Sequence, residues 1–296
     1  MQVRAFLLYV AGIFVLAALT AYPAYLALTA LGVADVAFDG MVLRLLKLYA
    51  LLGLWPLLKF LGINNREAWG YGRGTTGRGF LLGLGLGLAV GIASLGLVVL
   101  ALLAFDIRVA KPGVELSAAT LGVLAWKSLF TGVMVGLIEE TWFRGALHGA
   151  IQRMAGTGVA VVLISLIYAA VHFVRADITI PHDEIGWSSG AVVIANCFHR
   201  FRDQAVIDSL FALFAAGLLL ALVRVQTGRI AECIGVHAGW VAVIKFVRKL
   251  TYPNEEATWS FVVGEYDGVI GVLVGIWFAL LCAIYYVYFG RRTWSR

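Results

Sequence analysis

Long apolar runs constrain this chain more than any other feature. A bilayer core offers no water to backbone N–H and C=O groups, so a lipid-crossing segment must be a helix of about 20 apolar residues. Stretches approaching that length occupy residues 5–31, 45–61, 80–105, 118–151, 159–173, 206–223, 230–244 and 268–289. The expected fold is therefore all-α: a polytopic membrane protein with about eight transmembrane helices, a single embedded domain over residues 1–296. The first run, behind Arg4, exceeds a signal-peptide h-region and is closed by no A-x-A site, so it reads as a retained span.

Composition agrees. Hydrophobic residues make up 61% of the chain, charged residues 14%, and the mean hydropathy is +0.91. That excludes a soluble globule, a disordered chain and a disulfide scaffold. Cys197, Cys233 and Cys282 are odd in number, lack C-x-x-C spacing and lie in or beside apolar runs, so they read as small buried hydrophobes. The net charge of +6 comes from basic residues set between apolar runs, which points to the lipid bilayer as partner and not to nucleic acid.

Charge also orients the spans. With the N-terminus inside, the loops 1–4, 62–79, 152–157, 224–229 and 290–296 carry ten Arg and Lys in 41 residues, against nine in the 80 residues of the opposite loops. This bias follows the positive-inside rule and puts both termini in the cytoplasm. In the third run, Gly79, Gly83, Gly87 and Gly91 form a tandem G-x-x-x-G stripe, suited to close helix packing within the chain or to a homodimer through the glycine-rich helix 79–91.

Ionisable residues inside apolar runs are costly and are functional candidates by default. The fourth run concentrates them, with Lys127 followed by Glu139, Glu140, Arg144 and His148. Glu140, Arg144 and His148 fall at i, i+4 and i+8 on one helical face, and Glu139 points about 100° away. His172 and His237 lie in later runs, at depths that let them line one cavity with Glu140. A carboxylate with two imidazoles fits hydrolysis, the carboxylate taking a proton from water and imidazole serving a developing oxyanion. The same groups could bind zinc, although no H-E-x-x-H occurs. They could also relay protons in a non-enzymatic transporter or membrane scaffold, a class that often shows paired halves not seen here.

At these residues the chain resembles the CPBP family of intramembrane glutamate proteases, which includes the CAAX prenyl endopeptidases and bacteriocin-processing proteins. Glu139-Glu140-Thr-Trp-Phe-Arg144 matches the family's E-E-x-x-x-R, and Tyr168 through His172 matches F-x-x-x-H with Tyr for Phe. His237 opens the third motif, with Val241 where the family has Asn or Asp. The resemblance covers residues 120–245, the expected protease core.

It implies an endopeptidase of the bacterial inner membrane, with no cofactor or metal, that cleaves a membrane-associated peptide or protein. Carried over by position, Glu140 is the general base, Glu139 its partner, Arg144 the counter-charge, and His172 and His237 the oxyanion or water-orienting groups. Tyr168 and Asn196 are further substrate or oxyanion candidates. Asn196 would replace the missing amide if the segment 189–201 folds back into the cavity, as its apolar run within a polar loop suggests.

Overall fold

A computed structural model describes residues 2–33, 37–63, 65–72, 77–114 and 116–289. The basic end of the last run, Arg291 and Arg292, lies outside the described residues. Among the described residues the protein is predominantly helical, with one two-stranded ladder of β1 (Arg108–Ala110) and β2 (Thr251–Pro253). Among the described residues six helices are long and apolar enough to cross a membrane, against the eight expected.

The other two stretches fall short for separate reasons. Helix α6 (Thr157–Val171) has 15 residues, about 22 Å of rise, less than a hydrocarbon core of about 30 Å. Helix α9 (Ala231–Leu250) has 20 residues but carries Glu232, His237, Lys245, Arg248 and Lys249. Its buried half is shielded by other helices, so it does not need to be apolar.

By its internal contacts the chain forms two compact units, residues 1–64 with 170–204 and residues 65–169 with 205–296. The first contains α1 (Gln2–Ala30), α2 (Phe38–Phe60) and the short α7 (Ser189–Asn196). Its core joins Ala21 and Tyr25 of α1, Phe38, Met41 and Val42 of α2, and Ile185, Val193 and Cys197 of the later segment. That segment descends along α1: the rings of Trp187 and Phe198 meet Tyr22 and Phe14 at 5.4 and 5.6 Å. At Gly190 between them, a Cβ would come 2.3 Å from the Ala18 carbonyl oxygen. This segment of the long polar loop thus packs half-way along an apolar helix.

The second unit is built around α9. On one side lies α3 (Arg78–Ala104), whose Gly83, Gly87 and Gly91 face Glu232 and Val236; a Cβ on Gly87 would sit 2.3 Å from the Glu232 carbonyl oxygen. The glycine face that could have served a second copy is filled inside the chain by α9.

On the other side is α4 (Ala118–Glu140), started by the Ser117 cap on the Thr120 N–H, whose Gly132 lies as close to the Ala238 carbonyl oxygen. Small residues let the backbones approach until dispersion, not side-chain bulk, sets the spacing. Helix α8 (Ile207–Thr227) packs on α10 (Val272–Phe289) and ends at Gly228, whose φ of 68° stops the helix.

The α4 helix does not end at Glu140. It continues through a π-helical segment, Thr141–Leu147, into α5 (His148–Ala155), a continuous rod of 38 residues. The π turn departs from the 3.6-residue repeat, yet the Glu140–Arg144 pair at i, i+4 is kept and Glu140, Arg144 and His148 are all buried.

Candidate active site

The close approach of α4 and α9 carries His237 to the end of α4. Nδ1 of His237 lies 2.8 Å from Glu140 Oε1, and Arg144 Nη1 donates to the same oxygen at 2.9 Å. Glu140 and Arg144 are completely buried, and His237 nearly so. One carboxylate thus holds two cationic or N–H partners in a low-dielectric setting, where charge-assisted hydrogen bonds are strong and an unpaired charge is costly.

The two glutamates differ sharply. Glu139 keeps about a third of its side-chain surface exposed, 35%, against 0% for Glu140. Its Oε2 faces His237 Nε2 at 3.9 Å, beyond hydrogen-bond range. The imidazole therefore stands between the acids, with one edge bonded to Glu140 and the other turned to Glu139. With Glu140 ionised, Nδ1 carries the proton it donates, and the state of Nε2 is left to the chemistry.

Tyr168 lies on α6, buried, with its ring 4.4 Å from the Arg144 guanidinium and edge-on to Phe143 and His237. Its hydroxyl is 3.5 Å from His237 Nε2, a long contact. Its ring covers one side of the buried guanidinium, a packing contact the sequence reading did not give it.

His172 stands just past the end of α6, half-buried, and belongs to the other compact unit. Asn196 closes α7 in that same unit. Its Oδ1 accepts the Asp177 backbone N–H at 2.8 Å, and it lines a cavity of about 290 Å³ with Ile178, Val192, Ala195, Phe198, His199 and Arg202. The segment packs against α1, and the Asn196 side-chain oxygen is engaged by the Asp177 backbone within that unit. His182, another loop histidine, bonds the Tyr25 hydroxyl at 2.7 Å. Val241, one turn after His237, leaves that position on α9 apolar. Among the described residues, no three His, Cys, Asp or Glu side chains are grouped to hold a metal ion.

Residues 121–243 match the family described as Type II CAAX prenyl endopeptidase Rce1-like. The chain carries a CAAX protease domain of the CPBP family. The matched segment runs within two residues of the 120–245 core outlined from the motifs, and contains Glu139, Glu140, Arg144, Tyr168, His172 and His237. With its apolar helices, this makes the CAAX-type chain an integral membrane protein of a peptide-hydrolase family. Compared with curated proteins and with solved structures, it matches none.

Sequence reasoning missed one buried residue beside this CAAX-type site. Arg224 was counted in a cytoplasmic loop, yet it lies in the last turn of α8, and its Nε donates to the Arg144 carbonyl oxygen at 3.1 Å. The overlooked signal was its spacing, a single arginine closing an otherwise apolar helix just before a glycine stop.

Proposed function

We propose that this protein is an intramembrane endopeptidase that cleaves a peptide bond in a membrane-associated peptide or protein, with Glu139 as the group that activates water. The observation that carries this reading is the unequal exposure of the two acids around one imidazole. Glu140 is sealed from water, and its Oε1 is committed to Arg144 and His237. Glu139 is the carboxylate whose side chain stays partly exposed, while its Oε2, the oxygen nearest His237, is buried and without a hydrogen-bond partner, an acceptor that a water could fill. The base role that sequence phase gave to Glu140 therefore moves to Glu139, and Glu140 becomes the group that orients the histidine.

The steps follow from this arrangement. Water beside Glu139 loses a proton to the carboxylate as its oxygen attacks the scissile carbonyl carbon. His237, held by Glu140 through Nδ1, presents Nε2; protonated, it donates to the oxyanion and cancels the net negative charge that two carboxylates and one guanidinium leave. Glu139 then returns its proton to the leaving amine as the C–N bond breaks. His172 enters as the second imidazole on motif order alone. A prenylated C-terminal peptide is the substrate class that the matched domain's description suggests.

Orientation belongs to the same proposal, with both termini cytoplasmic and the chain in a bacterial inner membrane. It is supported by the basic-residue bias, and by the meeting of loop 65–72 with the Ile230 end of α9 through the Ile230 N–H and Gly70 carbonyl oxygen. Reporter fusions at residue 296 test it.

The deciding experiment compares wild type, Glu139→Gln and Glu140→Gln for newly formed peptide termini in membranes, with and without chelator. Glu139→Gln is expected to lose all cleavage while retaining the wild-type melting temperature. Full activity in that variant sinks the assignment, and loss of wild-type activity in chelator favours zinc.

A further inference from the structure

The π segment is gripped from outside the family motifs. Tyr71 and Thr141, the first residue of the π segment, share a hydrogen bond of 2.7 Å between their hydroxyls, and Thr141 donates back to the Leu137 carbonyl oxygen at 2.6 Å. At Gly145, a Cβ would meet the Trp69 carbonyl oxygen at 3.1 Å. Arg224 reaches the same region from α8: Nε donates to the Arg144 carbonyl oxygen and Nη2 to the Ala68 carbonyl oxygen at 3.2 Å. Gly70 makes this possible. Its φ is 77°, and a Cβ there would lie 2.8 Å from Ile230 and 3.0 Å from Arg224 Nε.

A π segment is strained relative to the α-helix it interrupts and persists where surroundings determine it. Its register fixes the phase between α4, which carries Glu139 and Glu140 to His237, and Arg144, whose Nη2 is held by the Gly217 carbonyl oxygen at 3.2 Å. Relaxation to uninterrupted α-helix would turn everything beyond the slip by about 100° per residue. Arg144 would then lose one of its two anchors.

We propose that Arg224, with Tyr71, is a positioning residue: by holding the π segment in register it sets the geometry of the glutamate pair against His237. Its catalytic consequence rests on the hydrolytic reading above; its structural part does not. Arg224 is suited to the task because a guanidinium serves two carbonyls in a fixed fork, which a lysine ammonium does not.

The test uses full-length protein in proteoliposomes. With an internally quenched farnesylated peptide as probe, Arg224→Ala is expected to lower kcat at least tenfold with KM unchanged. Arg224→Lys should fail to restore it, and added guanidinium should restore part of it. Tyr71→Phe should give a smaller loss of the same kind. In parallel, hydrogen exchange at the amides of residues 141–147 should accelerate in Arg224→Ala and stay at the wild-type rate in Glu139→Gln.

Unchanged exchange at 141–147 in Arg224→Ala overturns the proposal whatever the enzyme does. So does wild-type kcat in that variant. If the wild type leaves the probe intact, the hydrolytic reading suffers and the exchange result still decides whether Arg224 holds the register.

Discussion

The two compact units differ in how deeply they bury charge. In the α9-centred unit Glu140, Arg144, Arg224 and His237 are buried, and the helices holding them meet backbone to backbone across glycines. In the unit of α1, α2 and α7, the ion pairs of Asp177 with Arg175 and Arg200 lie in partly exposed side chains. There the long-range hydrogen bonds run largely through tyrosines, Tyr9 to the Ala50 carbonyl oxygen, Tyr49 to Thr20 and Tyr25 to His182. A buried charge tolerates little movement of its partner, because each unpaired group costs its full desolvation. Backbone contact supplies that rigidity, whereas side-chain contact can repack.

The comparison is most strongly stressed at the glycines. Gly87→Val should abolish folded protein, since even the first added carbon collides with the Glu232 carbonyl oxygen and no rotamer relieves it. Gly85, on the open side of the same helix, has nothing within 4 Å of its Cβ position. Gly85→Ala should therefore be neutral or stabilising by up to about 1 kcal/mol. Folded yield by size-exclusion chromatography and melting temperature distinguish them. Equal behaviour of the two variants breaks the claim that the α3–α9 spacing is fixed by backbone contact.

Next in size is the buried pair. Arg144→Met removes the counter-charge but leaves the Glu140 carboxylate in place, at a cost of about 3–5 kcal/mol. Arg144→Met with Glu140→Gln should recover much of it, since a neutral amide needs no counter-charge. A double variant as unstable as the single one would show that the arginine acts through packing on Tyr168 and not through charge. Denaturant titration of reconstituted protein measures both.

What could be read from the chain divides along the same line. Apolar runs announced the six helices that, among the described residues, are long and apolar enough to cross a membrane, because lipid imposes a local, one-dimensional rule. The Glu140–Arg144 pair and its meeting with His237 were also legible, from ionisable residues placed where they are expensive. The π segment was not: its residues have no periodicity that an ordinary helix lacks, and its grip comes from Tyr71, some 70 positions away, and from Arg224. Helical phase grouped Glu140 with Arg144, but phase reveals which residues share a face and not how far each side chain stays exposed. Arg224 was assigned to a loop because hydropathy falls at a charge even where the helix continues to Thr227.

The smallest expected effect lies in the more exposed unit and concerns pH. A hydrogen bond of 2.5 Å from Arg200 Nε, aided by the charges of Arg200 and Arg175, holds the Asp177 carboxyl below its ordinary range. A carboxyl depressed in the folded state binds its proton less readily there than in the unfolded chain. Its stabilising contribution is thus present above the ordinary carboxylate pKa and is lost as pH falls through the lower folded value. With the pair partly solvated, the contribution is about 0.2–1 kcal/mol at neutral pH.

Asp177→Asn should melt slightly earlier than wild type at pH 7, and the gap should close toward pH 3. It should also shrink in high salt, where screening weakens exposed pairs. The Glu140–Arg144 pair, sealed from ions, should show no such salt dependence. An Asp177→Asn gap that persists unchanged at pH 3 would assign the effect to the local fold around the Asn196 cap instead of the ion pair.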